Sequence, residues 1–140
     1  MQALLNAIAT KFSTTSSITS AITGGLHLDE AKDSTAMPYM TYTVMAAPTN
    51  WGFGIKTAAV TIRFDLYYTA ADTALTKLAA FTAVFDDFLP TLSSGTVFDS
   101  MRDSGPTLML VPFDDRNVER DSNVARVYRA SVEYRYSVLS

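Results

Sequence analysis

Two stretches of two-residue alternation limit what this chain can become. In Thr57–Tyr68, Val60, Ile62, Phe64 and Leu66 fall on one side while Thr61, Arg63, Asp65 and Tyr67 fall on the other. In Val124–Val138 the even positions Val124, Tyr128, Ala130, Val132, Tyr134, Tyr136 and Val138 are mainly apolar, and Arg126 breaks the pattern near the start. Successive strand side chains point to opposite faces, so this period predicts sheets with one buried face and one that is wet or partner-covered. At about 3.4 Å per residue the final fifteen-residue stretch would reach about 50 Å, more than a compact domain of this size requires. An overhanging end that touches something outside the monomer is therefore expected.

The remaining segments fit around these strands. Residues 2–12 predict a short helix carrying Leu5, Ile8 and Phe12 on one face. A Ser/Thr stretch from Ser13 to Ser20, the pair Gly24-Gly25 and a polar segment Leu26–Met37 read as irregular, ending at Pro38, which favours extended backbone before it. Tyr39–Ala46, rich in Thr, Tyr and Val, predicts a strand, followed by a loop from Pro48 to Gly54. Ala70–Leu89 predicts the long helix, with Thr69 as N-cap, Asp72 in its first turn, and Leu75, Leu78, Phe81, Thr82, Phe85, Phe88 and Leu89 as its apolar face. Thr96–Arg102 and Thr107–Phe113 predict two strands separated by an Asp103-Ser104-Gly105-Pro106 turn, and Asp114–Asn123 a charged hairpin connection. The whole reads as one α+β domain over residues 1–140: an antiparallel, mainly four-stranded sheet with one long helix and a short N-terminal helix packed on one face.

Composition removes several classes of function. The chain of 140 residues is 48% hydrophobic and 18% charged, which places it with globular proteins. It has no cysteine, hence no disulfide, thiolate nucleophile or thiolate metal site. The net charge is −3 with Lys and Arg scattered, which argues against tight binding to nucleic-acid phosphates. The first five residues lack the basic and long apolar regions of a signal peptide, and no run approaches a membrane span. A soluble protein made in the cytosol is expected.

No catalytic centre emerges. His27, the only histidine, sits among Leu26, Leu28, Asp29 and Glu30 and reads as a loop residue rather than an acid/base group. Asp29, Glu30 and Asp33 lack calcium-loop spacing, and no nucleophile elbow, phosphate loop or dinucleotide fingerprint is present. Asp86/Asp87 and Asp114/Asp115 are adjacent, exposed pairs with nothing to drive their pKa values apart. Asp86 and Asp87 also fall in the last turn of the long helix, where the dipole disfavours them by about 0.3–1 kcal/mol each. The expectation is a non-enzyme with no cofactor and no metal.

Two segments read as contact surfaces. Trp51 and Phe53 place large apolar groups in a hairpin loop, either folded back over the core or anchored in a partner. Asp114, Asp115, Arg116, Glu119 and Arg120 alternate charge in the second hairpin, either solvated or paired with a neighbouring subunit.

Several pieces in sequence order carry a resemblance: the Ala3–Ile8 helix Ala-Leu-Leu-x-Ala-Ile, Gly24-Gly25 before a polar stretch, Pro38-Tyr39 at a strand start, Phe64-Asp65-Leu66-Tyr67 at a strand end, one long helix, and a terminal Tyr134-x-Tyr136 strand. In this layout the chain resembles the tail-terminator (tail-completion) proteins of long-tailed bacteriophages. The resemblance implies a virion protein, assembled in the host cytoplasm, that forms a homo-oligomeric ring, usually a hexamer, in the neck region. Such a ring ends tail-tube polymerisation and joins the tube to the head connector or stopper protein. DNA would pass through its lumen without specific binding, which net acidity favours, and no membrane is involved. Closed rings need two different patches per subunit, and the two hairpins could supply them. The alternatives are another neck component (a head-completion or stopper protein) or, from a different class, a small ligand-binding or enzymatic domain with a pocket between helix and sheet, lined by Tyr39, Tyr42, Tyr128 and Tyr134.

Overall fold

The alternation in the second strand decides where the helices go. The structure, a computed structural model, describes residues 1–32, 35–52, 55–111 and 126–139, with the side chains of residues 50–52 and 55 outside that description. Strand β4 (Ile55–Tyr68) turns Val60, Ile62, Phe64 and Leu66 inward, each at most 2% exposed. Its neighbours repeat the pattern: Met40 and Tyr42 on β2 (Tyr39–Ala46), and Ala130, Val132, Tyr134 and Tyr136 on β6 (Tyr128–Leu139), are all buried. These residues form one apolar surface, and three helices lie on it.

Helix α1 (Gln2–Thr14) buries Leu4, Leu5, Ile8 and Phe12 at helical spacing. Helix α2 (Ser16–Ala21) follows within the Ser/Thr stretch expected to be irregular. Burial of Ile18 and Ile22 outweighs the weak helix propensity of its serines and threonines. Helix α3 (Ala71–Phe85) buries Ala74, Leu78, Phe81, Thr82 and Phe85. Leu75 and Leu89, expected on that face, are 37% and 54% exposed. The helix is also shorter than expected at both ends. Its N-cap is Ala70, not Thr69, and Asp72 takes over part of the capping role by accepting the Thr73 N–H at 2.9 Å. After Phe85 the backbone tightens, with the Asp87 and Phe88 N–H groups bonding the carbonyls of Val84 and Phe85, three residues back, ahead of Pro90.

The sheet is larger than the four strands expected. Its order is β1 (Leu26–Leu28), β2, β4, β6 and β5 (Thr96–Leu110), with β3 (Thr49–Gly52) also paired to β4. Since β6 pairs with Thr57–Tyr68 of β4, β2 and β3 share the opposite side of that strand. Every pairing is antiparallel except that of β1 (Leu26–Leu28) with β2, which is parallel. The three-residue β1 was hidden in a segment expected to be polar and irregular.

The largest departure lies at the other edge. Two strands and a turn were expected between Thr96 and Phe113, yet Thr96–Leu110 is a single strand, β5. The Asp-Ser-Gly-Pro sequence is absorbed by register shifts against β6. Gly105 makes that possible: its φ is +91°, and an added Cβ would come within 2.6 Å of the Ser131 carbonyl oxygen. The overlong strand is thus β5, while β6 begins at Tyr128, after Arg126 and Val127.

The pair Gly24-Gly25 is a packed joint rather than a loose linker. The Gly24 N–H donates to the Pro38 carbonyl at 2.7 Å, and the Met40 N–H to the Gly25 carbonyl at 2.8 Å, holding β1 beside β2. A Cβ on Gly24 would lie 2.0 Å from the Ala36 carbonyl oxygen and 2.6 Å from that of Pro38. Both obstacles are backbone and cannot rotate away. Gly24→Ala is therefore expected to cost about 3 kcal/mol, at the upper end of overpacking penalties. A chemical-denaturation midpoint unchanged from the parent protein would show that this joint is not packed as described.

Candidate functional site

With the three described helices on one side, no described helix covers the other face of the sheet. Tyr39 and Tyr67 are cross-strand partners there, stacked at 5.1 Å. Next to them Asp65 is 1% exposed and Thr41 4%. Asp65 accepts from Arg63 Nε at 2.9 Å and from the Ser131 hydroxyl on β6. The buried carboxylate is thereby satisfied within the sheet. Two further guanidiniums on this face, Arg129 and Arg135, have only methionine sulfurs as acceptors among the described residues: Met109 Sδ at 3.7 Å and Met101 Sδ at 3.1 Å. Thioethers are weak acceptors, so among the described residues both cations keep most of their bonding capacity.

The edges of the sheet carry the exposed apolar groups. Phe98, Met101, Leu108, Met109 and Leu110 on β5 are 40–57% exposed, and Leu28, Met37 and Met45 lie on or beside the β1–β2 edge. Together these are eight of the twelve exposed large apolar side chains among the described residues. Such a concentration at two strand edges differs from the scattering normal for a soluble surface. By register Leu108 and Leu110 oppose Ala130 and Tyr128 and so point to the helix side, while Met109 opposes Arg129 on the open face. At the far edge, α1, α2 and β1 border a groove of about 440 Å³ lined by Ala9, Phe12, Ile22 and Leu26 together with four uncharged Ser/Thr residues, Thr10 among them.

Between helix and sheet lies one polar cluster. Asp86, at the end of α3, accepts from the Tyr134 hydroxyl at 2.6 Å and from both Arg102 Nε, at 3.1 Å, and Arg102 Nη2. This is the physical reason for an acid where the helix dipole opposes one: Asp86 ties α3 to β5 and β6, and its partner is intramolecular. Nearby, the Tyr136 hydroxyl and Ser100 Oγ are cross-strand neighbours that make no hydrogen bond among the described residues.

Of the residues singled out in the sequence, His27 has a structural role. Its Nε2 donates to the Gly24 carbonyl at 2.9 Å and its ring meets Tyr39 edge-on. Among the described residues, no group of three acidic, histidine or cysteine side chains is placed to hold a metal. No described helix is long and apolar enough to cross a membrane. Trp51 sits in β3 opposite Lys56, so the expected loop is partly a strand, but its side chain lies outside the described residues. Phe53, Asp114, Asp115, Arg116, Glu119 and Arg120 lie outside them altogether. Sequence reasoning missed the β5 apolar arm and the Asp86 cluster. Each left a signal: Leu108-Met109-Leu110 is apolar without alternation, and Asp86 stands at the wrong end of a helix.

Comparison with known proteins bears on the fold. No protein-family model matches the chain, and no curated protein matches it significantly. Among solved structures, the chain is similar to one in the virion of a native gene transfer agent particle, at a TM-score of 0.74 and 12% identity, covering 99% of this chain and 96% of the other. At that identity the likeness establishes a shared fold along almost the whole length.

The tyrosine pair yields contrasting predictions. Burial first, then the hydrogen bond to Asp86, raises the Tyr134 hydroxyl above its usual pKa of 10.0; burial alone raises Tyr136. Tyr134→Phe should cost about 1–2 kcal/mol, because it removes a bond to a charged acceptor that is a third exposed. Tyr136→Phe should be neutral or stabilising, since its hydroxyl is buried with no partner among the described residues. Both raised groups contribute fully below about pH 10; above it the unfolded chain ionises first, so stability falls as pH rises toward the folded values. Thermal midpoints between pH 8 and 12 should fall less steeply in the double Phe variant. Equal slopes would contradict the assignment.

Proposed function

We propose that the protein is a structural virion component of the tail-terminator type. It forms a ring at the head-proximal end of a phage tail tube, stopping tube growth and joining tail to head connector. The observation that carries this reading is the near-complete fold likeness to a chain of a gene transfer agent virion, in agreement with the order of elements read from the sequence. The sheet edges support it: a subunit that must be held on two sides needs two different sticky margins, and the exposed apolar groups lie on two margins. No catalytic role is proposed, because the acid cluster at Asp86 is consumed in holding α3 to β5 and β6.

The open face bears on how DNA would pass. It presents Arg63, Arg129 and Arg135 against Asp65 and Glu133. Passage without specific binding requires that this face, with Arg129 and Arg135 lacking carboxylate partners among the described residues, be turned away from the lumen.

Purified protein added to polymerising tail-tube protein should shorten the tubes and leave a ring on one end, visible by negative-stain electron microscopy. An unchanged length distribution with bare tube ends would refute the terminator role. Binding to connector complexes alone would assign the protein to another position in the neck.

A further inference from the structure

The free arm of β5 and the groove at the opposite margin match in chemistry and in position. Leu108 and Leu110 project to the helix side at one edge of the sheet, 40% and 48% exposed, with no described residue covering them. The groove between α1, α2 and β1 opens on the same side at the other edge. None of its lining residues carries a charge, so two leucines entering it would strand no ion. A knob at one margin and a hole at the other cannot satisfy each other within one chain. They can do so between copies related head to tail.

The rest of β5 confines the apolar part of the contact to this arm. Asp99, Arg102 and Asp103, three register shifts and Pro106 interrupt the strand before Thr107, and such features discourage lateral strand pairing. Thr107–Leu110 is uncharged and pairs with Ser131–Tyr128 in unbroken register. A margin of fifteen residues is about 50 Å long, and a sheet is about 10 Å thick, so flush edges would bury on the order of 1,000 Å² in total. That is the lower end of stable interfaces. A second copy offers a matching margin over most of that length, since β2 and β3 together run along all but the middle of β4.

We infer that Leu108 and Leu110 of one copy seat in the α1–α2–β1 groove of the next, making the head-to-tail contact of the assembly. This deepens the ring reading above and rests on it. The absence of native cysteine makes the test clean. A Leu110→Cys/Thr10→Cys protein, oxidised alone and in the presence of tail tubes, should give a ladder of disulfide-linked multimers on a denaturing gel. Either single variant should stop at traces of dimer. Leu108→Glu, at an exposed position, should leave the thermal midpoint unchanged and raise the concentration needed for half-assembly at least about tenfold, read by sedimentation velocity. Assembly without a ladder, or assembly indifferent to Leu108→Glu, overturns the contact and leaves the ring reading standing. A ladder from open chains that never close supports the contact and removes the ring. A protein that yields no ladder under either condition overturns the contact.

Discussion

The fold depends on how one helix sits on two strands. Phe64 of β4 meets Phe81 at 4.9 Å and Phe85 at 5.7 Å on α3, and Tyr134 of β6 at 5.9 Å; Phe81 and Phe85 stack at 4.1 Å. All four side chains are fully buried. Burying each is worth about 1.5–3 kcal/mol, and each ring pair adds about 0.5–1.5 kcal/mol. By contrast the Asp86–Arg102 pair, about a third exposed at both ends, is worth at most about 1 kcal/mol. Packing therefore supplies the energy, and the ion pair supplies the alignment. Because Tyr134 belongs to both the aromatic seam and the Asp86 cluster, seating α3 also fixes where β5 leaves the core. The exposed arm is positioned by the same contacts that hold the core together.

Legibility followed physical locality. Strand β2 and most of β4 and β6 could be read because their periodicity is written in consecutive residues, and α3 because its apolar face repeats at three and four. Strand β1 could not: three residues acquire strand geometry only by pairing with β2, through a joint made by Gly24 and Pro38. Helix α2 depends on burying Ile18 and Ile22 beneath neighbours that lie far off in sequence. At Asp103–Pro106 local turn chemistry was a sound reading that long-range pairing overrode, because β6 offers a template along which a bulged strand can continue.

The candidate site was less legible than the fold, for a different reason. Hairpin tips attract suspicion because aromatic or charged residues are conspicuous there, which led to Trp51, Phe53 and the run from Asp114 to Arg120. An edge strand is inconspicuous in sequence. Leu108, Met109 and Leu110 look like any buried strand until the register shows that the helices stop short of them. Whether an apolar residue is core or contact depends on what covers it, and that is a property of topology.

The open face and the margins make opposite demands on an assembly. Apolar margins favour lateral association with little directional control, whereas the guanidiniums of Arg129 and Arg135 favour an acidic counterpart or solvent. A chain with bare edges along its whole length would add copies without limit, as edge-to-edge sheets do. Here the bulges and Pro106 leave only four residues of β5 suited to the purpose, and the three-residue β1 caps part of the other side. An apolar arm that short must rely on side chains entering a shaped groove rather than on a ladder of backbone bonds. Side-chain docking fixes the angle between neighbours more sharply than a slippable strand register does, and a fixed angle is what lets a head-to-tail series close on itself.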